Sequence, residues 1–586
     1  MRLPRSVTWL AADVREEDLR TSLVLLAVAL LLYMPGLGWG LPHATAPDRV
    51  HPWGSDELAP IGPFAQIFTW IFDGEARFDP RYPLFPYVIQ VIAMLPYLGW
   101  RWLTGGLDGF SADYPFGFDD PITALAGLTL WARASNLVMV SAIPVIAYWT
   151  ARALWSRMAA LITATLVLLM YHMFFYSRTS NVDGGMLFFA ALGLFVFAKT
   201  LRGRITAPRV VALGSFAALT IAAKDPGYSI FAAVAVVLAG RALAARRIGA
   251  PGVSRQWRLL LLGFLVSIAV YAVASGLAFS PELFFRHVDY AIHGSGLRAL
   301  LSEPATVPGY VRVLHSFTVG LGDAVGAPVL VLSALGLAVA AVRDRTALLF
   351  AVPALGLLAG VILPTRFVMF RYVLPAAYVI PFFAGYFLAW LTQRDRNAAL
   401  AAPRATESAP AVRRGTFLAY VCLGLAVSWS LIRGMDLTYQ MLRDPREELG
   451  AWMLAHARPG DRVAFYGGTA KLPALDSGIA VVRGPYWNGA PTPDPDWAEF
   501  LLLIPQQDQE LEHELQLPAD RYRALREGKW PYELVYARQT RGLFRRRPIT
   551  WVNPPVRVFI RRDLLDRLGP SSRQLDLDAV AVLPPP

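Results

Sequence analysis

The chain has 586 residues, 55% of them hydrophobic and only 17% charged, with a net charge of +12. Soluble globular chains run at about 45–50% apolar and about 25% charged, so the balance excludes a water-soluble fold for most of the length. The single cysteine, Cys422, excludes an internal disulfide framework and a cysteine-based metal cluster. Nucleic acid is not the implied partner, because the arginines cluster between apolar blocks, where membrane topology accounts for them.

Met1–Arg20 is polar and mixed in charge, unlike a cleavable signal. Arg2, Arg5, Arg15 and Arg20 precede the first apolar block, which puts the N-terminus in the cytoplasm and a first span at about 21–40. Residues 41–133 then form a long external loop carrying Asp48, Asp56, Glu57, Asp113, Asp119 and Asp120, among other acids. Within it, Leu84–Leu103 is apolar but broken by Pro86, Pro96 and Gly99 and rich in Tyr and Trp. It is expected to lie at the outer interface, because a crossing there would export the Arg152/Arg157 turn.

Further spans are expected near 134–151, 158–176, 183–200, 209–223, 227–245, 259–279, 326–342, 347–364, 371–392 and 416–433. Arginine-rich turns alternate between them on one side. The fold class is therefore an α-helical polytopic membrane protein of about eleven crossings, with its C-terminus outside. Residues 395–415, rich in Ala, Pro and Arg, read as a flexible cytoplasmic loop. Helix-like Pro445–Ala457 precedes strand-like Arg462–Tyr466, Phe500–Ile504, Tyr532–Gln539 and Val556–Ile560. The expected organisation is a cytoplasmic N-terminus (1–20), a transmembrane domain (21–433) and a small extracytoplasmic α/β domain (434–586).

The candidate chemistry lies at the outer ends of the spans. Asp56 and Glu57 are adjacent carboxylates that can serve as a general base or hold a metal, although acidic pairs are also common in solvated loops. Asp183 lies at the outer end of two consecutive expected spans; an acid so close to an apolar span needs a partner or a function, and Arg178 could pair with it. Lys224, Arg366 and Arg371 run against the positive-inside bias. Converging cations there suit a phosphate. His51, His172 and His287 have no ligand spacing and read as packed or surface residues. A transporter or flippase of a lipid-linked saccharide is the competing reading, but it calls for midplane charges and repeat symmetry. A polysaccharide ligase or polymerase would use another fold, and a receptor would leave the paired acids and cations unexplained.

Four motifs in order carry a resemblance: Gly38-Trp-Gly-Leu-Pro42 leading to Asp56-Glu57, Arg81-Tyr-Pro-Leu84, Tyr176-Ser-Arg-Thr-Ser-Asn-Val-Asp183, and Arg371-Tyr-Val-Leu-Pro375. Over roughly residues 20–390 the chain resembles the GT-C superfamily of polyprenyl-phosphate-sugar glycosyltransferases, which includes protein O-mannosyltransferases and aminoarabinose transferases. The resemblance implies a polyprenyl-phosphate sugar donor, a lipid, glycan or protein acceptor, and an extracytoplasmic active site in the plasma (inner) membrane. It implies Asp56 as the catalytic base, Glu57 as its support or an acceptor contact, and Asp183 as a group placing the acceptor or a metal. The resemblance further implies that Lys224, Arg366, Arg371 and Tyr372 hold the donor phosphate and that a single displacement inverts the anomeric centre. Trp53-Gly-Ser55 and Gly184-Gly185 depart from the usual motifs, which leaves acceptor identity and use of a divalent metal open; no cofactor is assigned.

Overall fold

A computed structural model of the chain describes residues 15–54, 56–73, 78–249, 252–293, 302–401, 414–465, 471–483, 498–505, 519–544, 549, 552–569 and 572–576. Arg2, Arg5, Ser55, Glu75 and positions 402–413 of the expected cytoplasmic loop lie outside these residues. By contacts the chain divides into two compact units. The first comprises Met1–Met34, Gly62–Ile92 and Arg133–Gly434; the second comprises Pro35–Ile61, Ala93–Ala132 and Met435–Pro586.

Among the described residues, seven helices are long and apolar enough to cross a membrane: Pro121–Leu154, Val182–Arg202, Gly227–Arg247, Val253–Ala274, Arg345–Thr365, Leu374–Asp395 and Arg414–His456. An eighth crossing is available if Val307–Val325 and Ala327–Arg343, bent by 109° at Gly326, form one broken span. The expected eleven are not reproduced as a count. The first expected span is a helix over Glu16–Tyr33 that starts in charged residues and stops ahead of Pro35, so Trp39 and Gly40 fall in a turn. The expected 158–176 span is two short helices, Arg157–Leu168 and Tyr171–Tyr176, and Ala207–Ala223 is likewise short. Leu84–Leu103 is one helix of 20 residues with Pro96 inside it.

Val253–Ala274 identifies the solvent. Its mean hydropathy is 2.0, yet only 6% of its apolar window is buried by protein. Leaving side chains such as Phe264 and Leu261 in water forfeits about 25 cal/mol per Å², whereas lipid costs them nothing. The chain is an integral membrane protein. Inside the first unit, helices approach through small residues, as expected where lipid competes for apolar side chains. A Cβ on Gly214 would come within 2.3 Å of the Gly263 carbonyl oxygen of Val253–Ala274, so this crossing requires glycine.

In the second unit, strands β1 (Arg462–Phe465), β2 (Ala480–Arg483), β3 (Phe500–Leu503), β4 (Tyr532–Arg538), β5 (Val556–Arg561) and β6 (Gln574–Leu575) form one mixed sheet in the order β2-β1-β3-β5-β4-β6. β1 runs parallel to β2 and β3, while β5 is antiparallel to both β3 and β4. Strand alternation divides β3 between two cores. Phe500 and Leu502 join Trp452 and Met453 of helix Pro445–His456 on one face. Leu501 and Leu503 join Tyr522 and Trp530 on the other.

Candidate active site

The first unit brings Asp183, Lys224, Arg371 and Tyr372 together. Asp183 sits in the first turn of Val182–Arg202, where the helix dipole favours an acid. Asn181 caps that helix, its side chain accepting from the Asp183 N–H at 3.1 Å. The Asn136 amide donates to the carbonyls of Thr179 and Asn181, both at 2.7 Å, and Gln90 donates to that of Ser180 at 2.6 Å. The whole 177–183 segment is buried. Its backbone is therefore fixed by amides arriving from two other helices.

Lys224 ends helix Ala207–Ala223 in extended conformation, and Pro226 prevents the helix from continuing. Its Nζ lies 2.7 Å from each carboxylate oxygen of Asp183. Both side chains are buried, so each charge depends on the other. Arg178, the partner nearest in sequence, points elsewhere: its guanidinium donates to the carbonyls of Tyr33 (3.0 Å) and Leu32 (2.9 Å). The ammonium covers both oxygens of Asp183 and supplies the positive charge a divalent ion would bring. Asp183 held this way does not fit a metal ligand. Among the described residues no group of three or more His, Cys, Asp or Glu could hold a metal ion.

Tyr372 carries two cations on its ring, Lys224 at 5.9 Å and Arg371 at 5.6 Å from the centroid. Desolvation lowers the Arg371 pKa, with the neighbouring Tyr372 opposing it. Arg366 lies five residues earlier in the same segment, with left-handed backbone (φ 51°). Its N–H donates to Ile362 O and its carbonyl accepts from Glu303 N–H, each at 2.9 Å. No side-chain bond of Arg366 ties it to the cluster.

Sequence reasoning did not single out Tyr82, which is buried close enough to Asp183, Arg81 and Tyr372 to feel their charges. Burial raises its pKa and Asp183 adds to the effect. Its place in the Arg81-Tyr-Pro-Leu84 motif was the available signal. The same turn is braced by Arg81, whose Nε donates to both oxygens of Asp79 at 3.0 and 2.8 Å.

Asp56 and Glu57 belong to the second unit. Asp56 has φ 56°, a conformation costly for most side chains but tolerated by Asp. Such outliers cluster at functional sites. Glu57 is buried, with its N–H donating to Gly54 O at 3.1 Å. The loop before them is fastened to the sheet domain. Trp39 Nε1 donates to Asp444 (3.0 Å), Trp53 Nε1 to Leu472 O (3.0 Å) and Arg49 Nη2 to Ile479 O (3.0 Å). The Arg446 guanidinium, fully buried, lies 3.9 Å from the Trp53 ring centroid and is held by Asp444 at 2.8 and 2.9 Å.

No family model and no curated protein sequence matches the chain. Solved structures similar to it include ArnT from Cupriavidus metallidurans bound to undecaprenyl phosphate, at 14% identity and TM-score 0.47, covering 94% of this chain and 99% of that one. The archaeal oligosaccharyltransferase AglB from Archaeoglobus fulgidus, in complex with an inhibitory peptide and a dolichol-phosphate, is similar at 15% identity and TM-score 0.40, covering 82% and 69%. The Archaeoglobus fulgidus oligosaccharyltransferase in complex with Zn and sulfate is similar at 13% and TM-score 0.43, covering 82% and 67%.

Proposed function

We propose that the protein is a membrane glycosyltransferase that moves a sugar from a polyprenyl-phosphate donor to a lipid, glycan or protein acceptor at the outer face of the plasma (inner) membrane. The observation that carries this reading is the pair of cations, Lys224 and Arg371, on the Tyr372 ring at the ends of apolar helices. Asp183 already answers the charge of Lys224, so Arg371 is the cation at this ring placed to meet a further anion, and a lipid phosphate brings one to the membrane surface.

In this reading Arg371 and Arg366 bind the donor phosphate and stabilise the charge that grows on it as the anomeric C–O bond breaks. Lys224 contributes positive charge from its fixed position against Asp183, and Tyr372 holds the cations in place. Asp56 takes the proton from the acceptor hydroxyl or amine as that atom forms its bond to the anomeric carbon. Glu57 supports the strained turn. One bond forms as one breaks on opposite faces of the carbon, so the configuration inverts, and the polyprenyl phosphate leaves. The loop bearing Asp56 and the sheet domain 435–586 would both lie outside the cytoplasm.

The test is incubation of the purified full-length protein with a panel of labelled polyprenyl-phosphate sugars and membrane acceptors. A glycosylated product with release of polyprenyl phosphate supports the reading. Vectorial movement of the intact lipid-linked sugar without cleavage would replace it with a flippase.

A further inference from the structure

His287, on helix Pro281–His293, is fully buried, and its helix neighbours Leu283 and Phe284 form a core with Trp70 and Leu84. Both ring nitrogens are engaged. Nδ1 lies 2.7 Å from the Pro80 carbonyl oxygen, and Nε2 lies 3.1 Å from Asp225 Oδ1. A carbonyl oxygen can only accept, so Nδ1 carries a proton; a carboxylate also accepts, so Nε2 carries one too. Satisfying both bonds at once requires the imidazolium.

The two acceptors are not arbitrary. Pro80 immediately precedes Arg81 and Tyr82, and Asp225 immediately follows Lys224. We propose that His287 is a positioning residue whose imidazolium clamps the 79–82 turn to the 224–227 turn and thereby sets Lys224 and Tyr82 for the phosphate of a lipid donor. The part concerning the donor rests on the transferase reading; the clamp itself does not.

The charges facing the ring support a pH-dependent clamp. Asp225 approaches from the turn after Lys224, Asp79 with its partner Arg81 from the loop, and the Tyr271 phenol lies close to Asp225. On the same helix Arg286 is turned onto the Phe78 ring at 5.0 Å, while Asp289 and His293 pair with each other in solvent. Burial opposes protonation of His287. The bond and charge of Asp225, the Pro80 carbonyl and Asp79 outweigh it, and the pKa is raised above the ordinary imidazole value. A raised pKa means the clamp is complete below the ordinary histidine range and is lost as pH climbs through the raised value.

The experiment measures the affinity of the full-length protein for undecaprenyl phosphate, and its thermal midpoint, from about pH 5.5 to about pH 9. Wild type, His287→Gln and Asp225→Asn are compared. The wild type is expected to lose affinity and thermal stability together along an alkaline limb. His287→Gln should bind about tenfold more weakly at the acid end, as for loss of a charged hydrogen bond, and show no limb. Asp225→Asn keeps an oxygen to accept from Nε2 but removes its charge, so its limb should move to lower pH; it also serves if His287→Gln does not fold. An unchanged limb in His287→Gln, or an unmoved limb in Asp225→Asn, would overturn the clamp. If wild type binds no undecaprenyl phosphate at any pH, the transferase reading fails, and the thermal curves still decide the clamp.

Discussion

At the scale of single residues, the Asp183–Lys224 pair is the most exposed to test. Removing either partner strands the other as a buried charge, which costs about 3–5 kcal/mol. Lys224→Met should therefore lower the thermal midpoint sharply, and adding Asp183→Asn should recover much of the loss. Additive losses in the double variant would show that the two are not coupled. Arg371→Ala and Arg366→Ala should each weaken binding of undecaprenyl phosphate about ten- to a hundredfold, measured at equilibrium; normal affinity would make them membrane anchors. The sequence singled out Lys224, Arg366 and Arg371 because cations away from the arginine-rich turns run against a strong topological bias. Their pairing was not legible there. Arg178 lies five residues from Asp183 and Lys224 forty-one, yet the crossing of two helices selects Lys224. His287 read as a packed or surface histidine; it is buried, and its two acceptors come from segments 207 and 62 residues away. No local pattern encodes that.

At the scale of elements, the helix crossing at Gly214 admits no side chain. Gly214→Leu would push a Cβ into the Gly263 carbonyl, with an expected loss of about 1–3 kcal/mol in unfolding experiments. A neutral result would mean the two helices separate freely. The loop 35–61 makes a second case. Arg446→Ala removes the cation stacked on Trp53 and leaves Asp444 buried without it. The expected result is a lowered kcat with little change in donor affinity, because the variant loosens the loop that carries Asp56 and leaves the phosphate cations untouched. Helices and strands with strong periodicity were readable: Pro445–His456 and β1, β3, β4 and β5 fall within a residue or two of expectation. β2 and β6, at four and two residues, were not, because so short a run has no periodicity to read. The break at Leu169–Met170 has no Gly or Pro behind it. What holds the far side is tertiary, with His172 Nε2 2.9 Å from Phe370 O.

At the scale of the whole molecule, Asp56 and Glu57 belong to one unit, and Asp183, Lys224, Arg366, Arg371 and Tyr372 to the other. Asp56→Asn should abolish transfer while leaving undecaprenyl phosphate binding intact, since the amide keeps the shape but accepts no proton. That outcome needs all these residues on one side of the membrane, which in turn needs Leu84–Leu103 not to cross. If it crosses, every later segment inverts, and Asp183 and Arg371 face the cytoplasm while Asp56 does not. Single cysteines in a Cys422→Ser background decide the matter with a membrane-impermeant thiol reagent on intact cells. His51, Asp289, Asp563, Arg204 and Arg246 are all exposed enough to react. Labelling is expected at 51, 289 and 563, with protection at 204 and 246 until the cells are opened. Labelling at 51 together with 204 and 246, but not 289, would contradict it, because the proposed base Asp56 and the cations proposed to hold the phosphate would then lie on opposite faces.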